Sequence, residues 1–147
     1  MKKNLQISPL LNVYFSKIME LVKIEPTDDT PGVLLDPERN IVNFNGRSLP
    51  EDVSAFYNPI LKWLEEYSNE KADKTVVEFK LDYYSSATSK MLMAIMSRIE
   101  KLQENGSEVL IKWWYPEDDE DIEDSGYMYS DLVDVPFELI SYKSFND

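Results

Sequence analysis

The 147-residue chain contains neither cysteine nor histidine, and only four glycines. Without cysteine there is no disulfide and no thiolate nucleophile, a composition that fits a reducing compartment, so a cytoplasmic location is expected. Without histidine the commonest general base and the commonest transition-metal ligand are both missing. No glycine-rich phosphate-binding loop can be traced. Basic residues are scarce too: 15 Lys+Arg stand against 28 Asp+Glu, for a formal charge of −13. Neutralising phosphates needs a basic stripe, and an anionic bilayer attracts a polybasic one, so neither nucleic acid nor direct membrane insertion is expected. No apolar run approaches the length that spans a bilayer. The stretch MKKNLQISPLLNVYFSKIMELVK is interrupted at Asn12, Ser16 and Lys17 and lacks a small-residue cleavage site, so a signal peptide is not expected. Carboxylates remain for catalysis, but with 28 acids any chosen pair is uninformative. The residues point away from an enzyme, a cofactor or a metal.

What is present is a core. Hydrophobic residues make up 43% and aromatics 12%, enough for one folded domain of this length. GVLLDPERNIVNFNG (32–46) reads as two strands joined at Asp36-Pro37-Glu38-Arg39-Asn40. SLPE (48–51) has capping-box spacing, with Ser48 expected to cap a helix that buries Val53, Phe56, Tyr57, Ile60, Leu61, Leu64 and Tyr67. Pro59 is expected to kink that helix. KTVVEFKLDYY (74–84) alternates, with Thr75, Val77, Phe79, Leu81 and Tyr83 on one side. A helix over about 86–104 follows, then a strand at 108–115, an acidic helix within 116–133 and a strand at 137–142. The order ββαβαβαβ predicts an α/β (α+β) domain: a mixed sheet of about five strands, helices mainly on one face and right-handed parallel crossovers. Residues 1–18 show no sustained period and are expected to be dispensable for folding.

Three constellations invite a functional reading. Asp121, Glu123, Ser125 and Gly126 match the opening of an EF-hand loop, but its twelfth position is Leu132 rather than a bidentate glutamate, so a solvated acidic helix start is preferred. In the strand Trp113-Trp114-Tyr115, alternation sends Trp113 and Tyr115 together and Trp114 to the opposite face, as a possible partner contact. Finally, LDYYSSATSKM (81–91) places Ser85, Ser86, Thr88 and Ser89 at a strand-to-helix junction. One hydroxyl suffices as a cap. The others, flanked by Tyr84 and Lys90 on a reachable rim, suit a phosphorylation site whose phosphate faces the helix amino terminus.

Five ordered stretches carry a resemblance: IEPTDDTPGVLLDP (24–37), NGRSLPEDVSAFYNPILKWLEEY (45–67), FKLDYYSSATSKMLMAIM (79–96), VLIKWWYPEDDED (109–121) and VDVPFELISY (133–142). Together they resemble the SiaC family of bacterial regulatory phosphoproteins, whose fold is STAS-like. The resemblance implies an appendage over 1–23 and a SiaC-like domain over 24–147. It implies a non-enzymatic switch: a serine/threonine protein kinase modifies the junction, a PP2C-type phosphatase reverses this, and the dephosphorylated form activates a diguanylate cyclase, promoting cyclic di-GMP signalling and biofilm. The family pattern Asn-Thr falls on Ser85-Ser86, which puts the acceptor at Ser86 with Ser85 as rival, and Ala87, Thr88 and Ser89 as the surrounding helix start. Tyr84, Lys90 and Trp114 are then the expected partner contacts. The alternative is a STAS-like ligand-binding module, or an anti-sigma-antagonist-type switch with another effector.

Overall fold

The structure, a computed structural model, describes residues 19–70 and 72–144. Residues 1–18 of the expected appendage lie outside the described residues. Six strands form one sheet: β1 (Val22–Ile24), β2 (Gly32–Asp36), β3 (Ile41–Ser48), β4 (Lys74–Tyr84), β5 (Glu108–Pro116) and β6 (Phe137–Tyr142). Three helices punctuate them: α1 (Val53–Tyr67), α2 (Ser86–Glu104) and α3 (Glu120–Leu132). Strand order in space equals strand order in sequence. The pairs β1–β2 and β2–β3 are antiparallel, and β3 through β6 are parallel. The fold is thus the expected mixed α/β sheet, with one strand more than expected. That strand, β1, spans three residues, too short for alternation to announce, and starts two residues before position 24.

The turn between β2 and β3 follows from its residues. Asp36 accepts from the amides of Glu38 and Arg39 at 3.0 and 3.1 Å, while Asn40 takes a left-handed φ of 58°. Registration then aligns apolar side chains in rows across the sheet. Val33, Phe44, Phe79 and Trp113 form one row; Leu35, Val42, Val77 and Ile111 form the next. All eight are buried. Within the first row Phe44 stacks on Phe79 at 5.2 Å, and Phe79 meets Trp113 at 5.7 Å. Helix α2 lays Leu92, Ile95, Met96, Ile99 and Leu102 against this face, each fully buried. At about 1.5–3 kcal/mol per buried side chain, this stripe is what fixes α2 to the sheet.

Helix α1 runs through Pro59 as a single element. Its cap differs from the expected one. Asp52 accepts from the amide of Ala55 at 3.0 Å, whereas Ser48 ends β3, fully buried. The capping-box spacing misled because Ser48 is engaged elsewhere, as described below. Trp63, absent from the expected stripe, is buried; it stacks on Tyr67 at 4.9 Å and donates Nε1 to the Glu20 carbonyl at 2.9 Å.

The alternation of β4 also reverses at its end. Gly46 pairs with Leu81 but Arg47 pairs with Tyr83, so the register slips by one residue around Asp82. Tyr83, expected inside, is therefore 48% exposed with the Arg47 guanidinium 5.3 Å from its ring centroid. Tyr84 turns inward instead, edge-on to Trp113 at 6.1 Å.

Candidate functional site

The carboxyl end of β4 runs directly into α2, and the hydroxyl cluster sits at that junction. Ser85 is the helix cap: its backbone is extended (φ −79°, ψ 166°), and its Oγ accepts from the Thr88 amide at 3.2 Å. The same Oγ donates to Thr88 Oγ1 at 3.2 Å. Thr88 is fully buried, and its Oγ1 donates to the carbonyl of Ser48 at 3.0 Å. Ser48 Oγ lies 2.9 Å from Thr88 Oγ1 and 2.6 Å from the hydroxyl of Tyr57. Each hydroxyl carries one proton, and Thr88 has spent its proton on the Ser48 carbonyl. Tyr57 donating to Ser48, with Ser48 and Ser85 donating to Thr88, then satisfies every group. This chain of four hydroxyls runs from the α2 cap to α1. Burial pushes the Tyr57 phenol up to about 12, opposed in part by the bonds to Ser48 and Thr88.

Two hydroxyls lie outside that chain. Ser89 Oγ donates to the carbonyl of Ser86 at 2.8 Å. Ser86 is the first residue of α2, is exposed, and has no side-chain hydrogen bond among the described residues. Of the three amides expected to face a phosphate, that of Thr88 is taken by Ser85 Oγ and that of Ser89 by the Ser85 carbonyl at 3.0 Å. The amide of Ala87 has no partner among the described residues. The junction therefore offers one exposed, uncommitted hydroxyl beside a single open amide, that of Ala87, at the helix amino terminus.

The other expected contacts are dispersed. Lys90 is exposed on the first turns of α2. Tyr84 is half-buried against Trp113, and burial raises its phenol. Trp114 lies on the sheet face opposite the core rows, donating Nε1 to Glu78 at 2.8 Å with Lys80 Nζ 5.5 Å from its ring centroid. It is not part of the junction. The acidic block is helical from Glu120 onward, capped by Asp119, which accepts from the amide of Ile122 at 3.0 Å. Gly126 serves packing there: a Cβ would come 2.5 Å from Trp113 Cδ1. Among the described residues no group of three or more acidic side chains is placed to hold a metal ion, and no helix is long and apolar enough to cross a membrane. Sequence reasoning missed Ser48 and Tyr57 as members of the site, because the contact from Ser48 to Thr88 joins residues 40 positions apart.

Fold and site together define an α/β domain with an exposed, uncommitted hydroxyl at a strand-to-helix rim. The chain belongs to the SiaC family of regulatory phosphoproteins, whose sequence pattern matches residues 24–142. An uncharacterized protein of Pseudomonas aeruginosa is 21% identical over 121 residues, covering 82% of this chain and 96% of that protein. The crystal structure of apo-SiaC from P. aeruginosa superimposes with a TM-score of 0.75 at 20% identity, covering 83% of this chain and 99% of that one. SiaC from the same organism, in its crystal complex with the diguanylate cyclase SiaD, superimposes with a TM-score of 0.77 at 20% identity over 82% of this chain and 99% of that one.

Proposed function

We propose that this protein is a non-enzymatic switch, phosphorylated on Ser86 by a serine/threonine kinase, reset by a PP2C-type phosphatase, and active toward a diguanylate cyclase when dephosphorylated. One observation carries the reading: Ser86 alone among the junction hydroxyls is exposed and uncommitted, whereas Ser85 and Thr88 are bound into the buried chain and Ser89 to a carbonyl. Family membership and the cyclase complex of the P. aeruginosa relative support the partner class. The physical logic is local. A phosphate on Ser86 adds about −1.5 to −2 charges and three acceptor oxygens next to the vacant Ala87 amide, so the fold tolerates it. A partner seated on the same rim must desolvate that dianion, which is costly without a cation. Phosphorylation then releases the partner while leaving the domain folded.

The test is incubation with ATP and a serine/threonine protein kinase from the same cell, followed by intact-mass measurement and peptide mapping, with cyclase activation read in parallel. One phosphate on Ser86 and loss of cyclase activation are expected. Phosphate on another residue, or activation insensitive to it, refutes the assignment.

A further inference from the structure

The outer face of α3 is unlike the rest of the described surface. Of five exposed large hydrophobic side chains, three lie on this helix: Tyr127, Met128 and Leu132, exposed by 53, 48 and 59%. Met128 and Leu132 stand four residues apart, so their side chains adjoin on one face, with Tyr127 at its edge. The helix does not use them for its own packing, which falls to Ile122, Gly126 and Tyr129. That buried side is firmly held. Trp113 Nε1 donates to the Ile122 carbonyl at 2.9 Å, and the Tyr129 hydroxyl donates to the Ser89 carbonyl at 3.0 Å.

Charge on this face has one sign. No lysine or arginine occurs in Glu120–Leu132. Asp124 and Asp131 lie within one turn of Met128, both exposed, and neither forms an ion pair among the described residues. Apolar side chains set between unpaired carboxylates are complementary to a cationic, amphipathic surface. They repel a second copy of a chain that itself carries −13. Methionine adapts its shape to a docked side chain, and the carboxylates supply steering and selectivity.

We infer that the outer face of α3 docks a basic amphipathic helix of a partner protein. Apolar side chains at i, i+4 spacing seat on Met128 and Leu132, and flanking lysines or arginines approach Asp124 and Asp131. This surface does not use the Ser86 hydroxyl, so it stands or falls independently of the phosphorylation switch.

The experiment titrates the isotope-labelled full chain with a synthetic lysine–leucine peptide patterned at helical spacing, and with a scrambled peptide of equal composition. Amide shifts centred on residues 120–132, and binding at least about tenfold weaker for the scrambled peptide, are expected. Met128→Gln/Leu132→Gln should weaken the patterned peptide by a further factor of about ten, and added salt should weaken it too. Equal binding of the two peptides, shifts centred on the exposed sheet face, or no binding at all would overturn the inference. Should the double variant fold poorly, the wild-type shift map and the scrambled comparison still decide the matter.

Discussion

Ser85 and Thr88 are joined twice: the Ser85 Oγ accepts from the Thr88 amide and donates to the Thr88 hydroxyl, both at 3.2 Å. Ser85 is thereby a structural hydroxyl. Ser85→Ala removes the cap of α2 and one donor to a buried oxygen, and is expected to cost about 1–2 kcal/mol in chemical denaturation. Phosphorylation of that variant should proceed, because the adjacent Ser86 hydroxyl is untouched.

Ser86→Ala should behave in the opposite way. The residue is exposed and its hydroxyl unbonded, so stability should stay within about 0.5 kcal/mol of wild type. Kinase-dependent mass gain should vanish, and binding to the effector should become constitutive. Ser86→Asp, with one charge and a shorter reach, should mimic the phosphate only in part. Stoichiometric phosphorylation of Ser86→Ala together with none in Ser85→Ala would reverse the assignment.

Gly126→Ala tests the seat of α3. Alanine ordinarily stabilises a helix interior by up to about 1 kcal/mol over glycine. Here the added methyl would come 2.5 Å from Trp113 Cδ1 and 3.0 Å from Leu139 Cδ2. Overpacking of this kind costs about 1–3 kcal/mol, so a net loss in the denaturation midpoint is expected. Tryptophan fluorescence should shift with it.

The buried hydroxyl chain makes stability sensitive to alkali. The Tyr57 phenol sits at about 12 in the folded protein, against 10 when unfolded. The unfolded chain therefore loses this proton first. The contribution of Tyr57 is complete below pH 10 and declines as pH rises toward 12, by up to about 1.4 kcal/mol per unit. Tyr67, Tyr84, Tyr129 and Tyr142 are raised by burial as well and add to the slope. Tyr57→Phe should flatten it by roughly one proton's worth, read from denaturation midpoints between pH 9 and 12, while costing about 1 kcal/mol at neutral pH through the lost donor to Ser48.

Much of this architecture is legible in the sequence where one period dominates. The strand over 74–84 and the helix over 86–104 coincide with β4 and α2, because alternation and a 3.6-residue stripe adjoin without ambiguity. Legibility fails where the third dimension decides. Ser48 has the spacing of a cap, yet its hydroxyl is drawn into a buried bond with Tyr57, and Asp52 caps α1 instead. The Tyr83–Tyr84 reversal depends on the slipped pairing with Arg47 on β3, which no local pattern encodes. At the site, the exposed hydroxyl and the committed ones are chemically alike in sequence. Only burial and partners separate Ser86 from Ser85.

The sheet's order in space, identical to its order along the chain, has a consequence for biosynthesis. Each strand leaving the ribosome can add to the edge left by the one before, with no earlier pair to be opened and no strand to be inserted between neighbours. Until its successor arrives, that edge presents unpaired amides and carbonyls, the state most prone to pair with another chain. The last parallel partner, β6, follows α3 directly. The hydroxyl junction between β4 and α2 is thus laid down while the β5 and β6 side of the sheet is still absent, and a nascent domain stalled there would show Ser86 to solvent before Trp113 had found its place.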